Sequence, residues 1–197
     1  GKFGKGFSFD GTGDYVDAGN PANLQITGNL TLSAWVKSTA NGDYQAIATK
    51  LITGPWTGYG ISKEANSKFI FFVANGDGSY EQTYSDSAYT DTNWHQVLAM
   101  RSSGVNYLYV DGQLQAQTGT KAISDSGQNF LIGKYYANYN GYYFTGSVDD
   151  VMIFNRALTT DEITALYNGT AIAHSSTLSE ASHTYKVYSS DLAGNVG

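Results

Sequence analysis

Apolar residues in this chain recur at every second position in short runs, and glycine, asparagine and aspartate cut the runs apart. Leu30, Leu32, Ala34 and Val36 alternate with Thr31, Ser33, Trp35 and Lys37, the period of a strand with one buried face. Phe69 to Val73 is apolar at every position, as in a strand covered on both faces. Other runs begin at Phe7, Tyr15, Trp94, Tyr107, Leu131 and Val148, with weaker ones at 46–50, 58–62 and 82–84. Asp111-Gly112 predicts a two-residue hairpin turn. Helical spacing occurs once: the capping box Thr159-Thr-Asp-Glu162 precedes Ile163, Leu166 and Tyr167, and Asn168-Gly169 supplies a left-handed stop. One short helix among many strands leaves no room for βαβ crossovers. The expected fold is all-β, a two-sheet antiparallel sandwich with one short C-terminal helix.

Composition narrows the function classes. Only 14% of the 197 residues are charged, while 14% are aromatic and 16 are tyrosine. A helical bundle needs more charge than this, and a disordered chain carries fewer rings. The net charge is −6 and the 11 Lys and Arg are scattered singly, which argues against nucleic acid and anionic membranes as partners. Without cysteine there is no disulfide, thiolate nucleophile or cysteine-based zinc site. No run of 18 apolar residues predicts membrane insertion. The opening lacks the apolar core of a signal peptide, so export would make this chain a piece of a longer one.

Catalytic constellations are thin. Glycoside hydrolysis needs two carboxylates across one bond, and the four glutamates are Glu64, Glu81, Glu162 and Glu180. Asp149 and Asp150 are adjacent, so in a regular strand they point to opposite faces. A pair from distant loops, Glu81 with Asp77 or Asp86, is the remaining hydrolase reading. Of three histidines, His174 and His183 lie in the tail, and His95 reads as a hydrogen-bonded strand residue rather than a base. A lyase could be assembled from Arg101, His95 and a tyrosine, but those ingredients are too common to mark a site. The chain reads as non-enzymatic.

The aromatic loops are the sharpest functional signal. Tyr135-Tyr-Ala-Asn-Tyr-Asn-Gly-Tyr-Tyr-Phe144 sets Tyr135, Tyr136, Tyr139, Tyr142 and Tyr143 beside Asn138, Asn140 and Gly141. Trp56 and Tyr59 form a second group, and Tyr80 belongs to a third, Asp77 to Tyr84. Ring faces suit the C–H face of a pyranose, while amides and carboxylates hold its hydroxyls. Tyr-, Gly- and Asn-rich loops serve equally as protein paratopes, and rings of this kind can also pack under their own loops. The candidate ligand-binding set is Trp56, Tyr59, Tyr80, Tyr135, Tyr136, Tyr139, Asn140, Tyr142 and Tyr143. Asp10-Gly-Thr-Gly-Asp14 offers carboxylates and glycine carbonyls of the kind Ca²⁺ takes, or plain Asx turns.

Four segments, in order, carry a family resemblance. Phe9-Asp-Gly-Thr-Gly-Asp-Tyr-Val16, Trp94-His-Gln-Val97, Leu108-Tyr-Val-Asp-Gly112 and Gly146-Ser-Val-Asp-Asp-Val-Met-Ile-Phe-Asn155 with its exit helix resemble laminin G-like, concanavalin A-like domains over about residues 1–170. The resemblance implies a jelly-roll sandwich used mostly to bind glycans or proteins, with some glycosidases and lyases among its relatives. It also implies that the first and last strands lie together. That would bring Asp149 or Asp150 to Asp10 and Asp14 around one structural calcium. The tail His183 to Val196 resembles the last strand of a bacterial immunoglobulin-like repeat, so 171–197 reads as a linker plus an extra strand or the edge of a following module. The expectation is a carbohydrate-binding or adhesion module of a secreted or cell-surface multidomain protein. The alternative is a spacer or protein-interaction domain.

Overall fold

The computed structural model describes residues 1–169. The strand expected at 183–189, and the division at residue 170, lie outside the described residues. Twelve strands form two six-stranded antiparallel sheets. The first runs, edge to edge, β1 (Phe7–Asp10), β12 (Thr145–Phe154), β3 (Leu30–Ser38), β8 (His95–Ser102), β9 (Val105–Val110) and β10 (Gln113–Leu114). The second runs β2 (Val16–Asp17), β11 (Leu131–Ile132), β4 (Gln45–Ile52), β5 (Thr57–Lys63), β6 (Phe69–Asn75) and β7 (Tyr80–Tyr84). Two of the weakly patterned runs, 46–50 and 58–62, are therefore central strands of the second sheet, and the third, 82–84, is its edge. Asp111 and Gly112 both have positive φ, 51° and 73°, and join β9 to β10 as the two-residue turn requires.

Leu30, Leu32, Ala34 and Val36 face inward, where they meet Ile47, Tyr59, Ile61, Phe69, Phe71 and Val73 of the other sheet. Their alternation partners do not face open water. The helix α1 (Thr160–Asn168) follows Leu158 onto the outer face of the first sheet and packs Ile163 and Leu166 against Leu98 and Met100. Trp35 lies edge-on to Phe3 at 5.7 Å and stacks on Tyr167 at 5.6 Å. The capping box forms as the sequence predicts: Thr159 Oγ1 accepts from the Glu162 N–H, and the Glu162 carboxylate accepts from the Thr159 N–H at 2.9 Å. The Arg156 guanidinium grips that carboxylate at 2.7 Å through both nitrogens and lowers its pKa to about 2.

β12 is not regular where the two aspartates sit. Its register to β3 shifts between Asp149 and Met152, and Asp150 takes φ 45°, so simple alternation does not hold there. Asp149 is buried and accepts from the backbone N–H groups of Lys2 (2.6 Å) and Phe3 (3.1 Å). Lys50, inward on β4 opposite Tyr59, is fully buried and forms an ion pair with Asp125 from the loop before β11.

His95 opens β8 between two carboxylates, with Nδ1 2.7 Å from Asp111 Oδ2 and Nε2 3.0 Å from Asp91 Oδ1. The bond to Asp111, then that to Asp91, outweighs partial burial and raises the imidazole pKa above its usual 6.5. The folded state thus holds this proton more tightly than the unfolded chain. That stabilises the fold below the unfolded-state pKa and is lost as pH rises through the folded-state value. The melting temperature is expected to fall as pH climbs from about 6.5 through that raised value, with the step absent in His95→Gln. Identical profiles for the two proteins would refute the assignment.

Candidate functional site

The second sheet has an outer face unlike that of the first. Cross-strand register sets Leu51, Gly58, Ala74 and Tyr80 on one outward rung and Thr49, Gly60, Phe72 and Gln82 on the next. The central strand β5 thus contributes glycine twice. At Gly58, φ is 107° and a Cβ would stand 2.0 Å from the Lys50 carbonyl oxygen, so no other residue fits. Phe72 and Ala74 need cover on this side, and the rings supply it. Tyr135, only 6% exposed, packs with Ala46, Leu51, Ile70, Phe72 and Ala74.

Tyr135 is the hub of the ring cluster. It lies 5.3 Å from Tyr44, 5.6 Å from Tyr136, 5.8 Å from Tyr139 and 5.3 Å from Tyr142. Tyr136 stacks on Tyr139, and Tyr139 leans on Tyr142 at 4.9 Å. At the β5–β7 end, Trp56 meets Phe72 at 5.6 Å and Tyr80 at 4.9 Å. Tyr80 and Tyr142 are the most open of these rings, 48% and 42% exposed. Buried rings support half-exposed ones across the whole face.

Local bonds fix the loop that carries most of the rings. The Tyr139 N–H donates to Tyr136 O (3.1 Å), Tyr136 OH shares a bond with Thr53 Oγ1 (2.9 Å), and Tyr143 OH donates to Asn140 Oδ1 (3.2 Å). Lys134 Nζ donates to Ala137 O at 3.1 Å and sits 4.4 Å over the Tyr15 ring. Tyr142 adopts φ 57°, a left-handed conformation costing about 1–2 kcal/mol for a residue with a Cβ. Its carbonyl accepts from the Ala46 N–H at 2.9 Å, which pins the strained residue to β4. Burial pushes the Tyr135 phenol well above its ordinary pKa, and the hydroxyl of Tyr142 beside Tyr139 raises that phenol too.

The structure therefore divides the sequence-predicted set. Trp56, Tyr80, Tyr136, Tyr139, Asn140, Tyr142 and Tyr143 reach the surface of one face or its rim. Tyr59 does not. It lies inside β5 rather than in a loop, is 0% exposed, and its hydroxyl donates to Leu24 O at 2.8 Å in the core. Tyr135 is a support beneath the others rather than a contact. Sequence reading missed Asp43, Tyr44, Gln45 and Thr145. With Gly11, Ala40, Tyr142 and Tyr143 they line a cleft of about 260 Å³ at one end of the ring cluster. The only sequence cue was an aspartate-tyrosine pair ahead of a run with weak strand character.

The expected calcium ligands are not brought together. β1 pairs with β12, as the resemblance implies, but Asp10 stands opposite Thr145. Asp149 lies four residues further along β12, about 13 Å away at the rise of a strand. Asp10 accepts from the Thr12 N–H, Asp14 from the Asp10 N–H, and Asp149 from the Lys2 and Phe3 N–H groups. These are turn and segment anchors. Among the described residues no three acidic or histidine side chains gather closely enough to hold a metal ion.

The carboxylates of the hydrolase reading are likewise engaged. For Glu81, burial pushes the pKa up, but bonds from Thr120 N–H, Asn106 Nδ2 and Lys121 N–H outweigh it and hold it low. Asp77 accepts from Lys121 Nζ and Asp86 from the Ala116 N–H. All three fasten the 115–121 segment to the second sheet's edge. Both nitrogens of His95 face carboxylates, so neither is open to a substrate proton.

A search of curated protein sequences gives no match. Several solved structures share the fold at low identity. The binding domain of botulinum neurotoxin serotype G aligns with a TM-score of 0.62 and 15% identity, covering 81% of this chain and 41% of that one. The heptameric SAP-like pentraxin from Limulus polyphemus aligns at 0.59 and 16%, covering 81% and 80%. The Trypanosoma rangeli sialidase aligns at 0.60 and 18%, covering 84% and 27%. The chain thus spans about two fifths of the toxin binding domain and about a quarter of the sialidase. Residues 10–164 match the Laminin_G_3 family. On that match, which takes in both sheets and most of α1, this chain belongs to Laminin_G_3, in the concanavalin A-like lectin/glucanases superfamily.

Proposed function

We propose that this domain is a non-catalytic carbohydrate-binding module, and that the ring-covered outer face of the second sheet receives the glycan. The observation that carries the reading is the layering of that face. Trp56, Tyr80, Tyr136, Tyr139 and Tyr142 keep accessible ring surface while Phe72 and Tyr135 hold them from below. Rings fixed in advance lose little entropy on binding, and their faces match the apolar side of a pyranose. The lectins named in the family's description and the fold shared with a toxin binding domain support a binding role. The engaged states of Glu81, Asp77, Asp86 and His95 support the absence of catalysis. A secreted or cell-surface multidomain protein is the setting that fits such a module.

A glycan array tests this. Saturable binding to a defined polysaccharide is expected, weakened about tenfold in Trp56→Ala and in Tyr139→Ala. No capture of any glycan at millimolar ligand would sink the proposal. Release of new reducing ends or unsaturated products from a bound polysaccharide would replace it with an enzyme.

A further inference from the structure

The cleft at the Tyr44 end of the ring cluster has an unbalanced chemistry. Its walls are the rings of Tyr44, Tyr142 and Tyr143, with Asp43, Gln45 and Thr145 among them. Most side-chain donors there are already used. Gln45 Nε2 donates to Ala40 O (2.9 Å), while its Oε1 accepts from the Thr145 N–H (3.1 Å). Tyr143 OH donates to Asn140 Oδ1, and the Tyr142 hydroxyl lies beside that of Tyr139; the Tyr44 hydroxyl has no hydrogen-bond partner among the described residues but is buried away from the cleft's solvent. Thr145 keeps one hydroxyl, pressed against Gly11. Asp43 is the opposite case: exposed, with no hydrogen bond or ion pair among the described residues.

The loop that presents Asp43 is held firmly. Lys63 Nζ donates to Ser38 Oγ, Ala40 O and Asn41 Oδ1 at 3.2, 3.2 and 2.7 Å, so this cation is occupied at the base of the loop rather than paired with Asp43. Lys134, 5.6 Å from the Tyr143 ring, is tied to Ala137 O and Tyr15. Gly11 lines the other wall.

A sugar hydroxyl both donates and accepts, so a neutral glycan needs donors as well as acceptors. An ammonium group has three N–H donors and no acceptor. Ring faces carry negative charge density and attract cations, more strongly beside a carboxylate. A chain of net charge −6 repels acidic sugars. From this balance we infer that the cleft takes the protonated amine of an amino sugar, with the ammonium on Asp43 and its C–H flank on Tyr44, Tyr142 and Tyr143. This rests on the glycan reading above and specifies its ligand class.

Three β-1,4-linked hexamers differing only at C2 separate the two claims: glucosamine, N-acetylglucosamine and glucose. Calorimetry at a pH that keeps the amine protonated is expected to give about tenfold tighter binding to the glucosamine hexamer. The preference should shrink with added salt and vanish in Asp43→Asn, which retains the weaker binding to the other two. Equal affinity for all three hexamers, or a preference unchanged in Asp43→Asn, overturns the inference and leaves the glycan reading standing. So does binding that requires calcium and disappears with chelator. Glycans captured on the array with none of the three hexamers bound also overturns the amine assignment. Silence in both assays removes the parent reading as well.

Discussion

Asp125→Asn is expected to lower the unfolding free energy by about 3 kcal/mol, because it strands the Lys50 charge inside the sandwich. The Lys50 side chain has no exposed surface, whereas Asp125 keeps a quarter of its own, which places the effect at the lower end of the range for broken buried pairs. The loss comes from the uncompensated ammonium and not from the missing attraction. Lys50→Met in the Asp125→Asn background should therefore recover most of it, since a long apolar side chain fits the same space between the sheets. Urea unfolding of the wild type, the single variant and the double variant measures this. A double variant no more stable than Asp125→Asn would show that the charge is not what the aspartate neutralises.

Tyr135→Ala is the second large expected effect, about 3–5 kcal/mol. The ring covers Leu51, Ile70, Phe72 and Ala74 on the outer face of the second sheet, so its removal opens a void and exposes a strand that is apolar on both sides. Tyr135→Phe should retain most of the stability, because the cover is the ring and not the hydroxyl. Tyr139→Ala should cost less than about 1 kcal/mol, since that ring rides on top of the layer. Denaturant midpoints for the three variants order them directly. Equal midpoints for Tyr135→Ala and Tyr139→Ala would mean that the layer is not a scaffold.

The contrast between those two tyrosines shows where sequence reading succeeded and where it stopped. The alternation of Leu30 to Val36 identified the inward face of β3, and Thr159 with Glu162 identified the helix start, because both patterns are local. Phe69 to Val73 was correctly read as covered on both sides. What could not be read was the identity of the second cover: rings about 65 residues further along the chain rather than another regular layer. Tyr59 was misplaced because Gly58 and Gly60 leave only a weak strand signal at 58–62, so the ring was grouped with its neighbour Trp56 rather than with the core. Lys50 and Lys63 were invisible as buried residues. A lysine in isolation reads as surface, and the partners that neutralise or cap them come from other strands and loops. Asp43 was missed for the opposite reason: a single aspartate in a connection has no pattern around it.

The packing of Trp35 has an architectural consequence. Phe3 and Tyr167 close on the same ring, and a Cβ on Gly169 would stand 3.1 Å from the Phe3 ring. Residues near both ends of the described segment thus meet at one spot, on the broad side opposite the Tyr135 ring cluster. A unit with this geometry can be spliced into a surface loop of a host fold without prising the loop apart. It would then present its ring-bearing side outward from the graft.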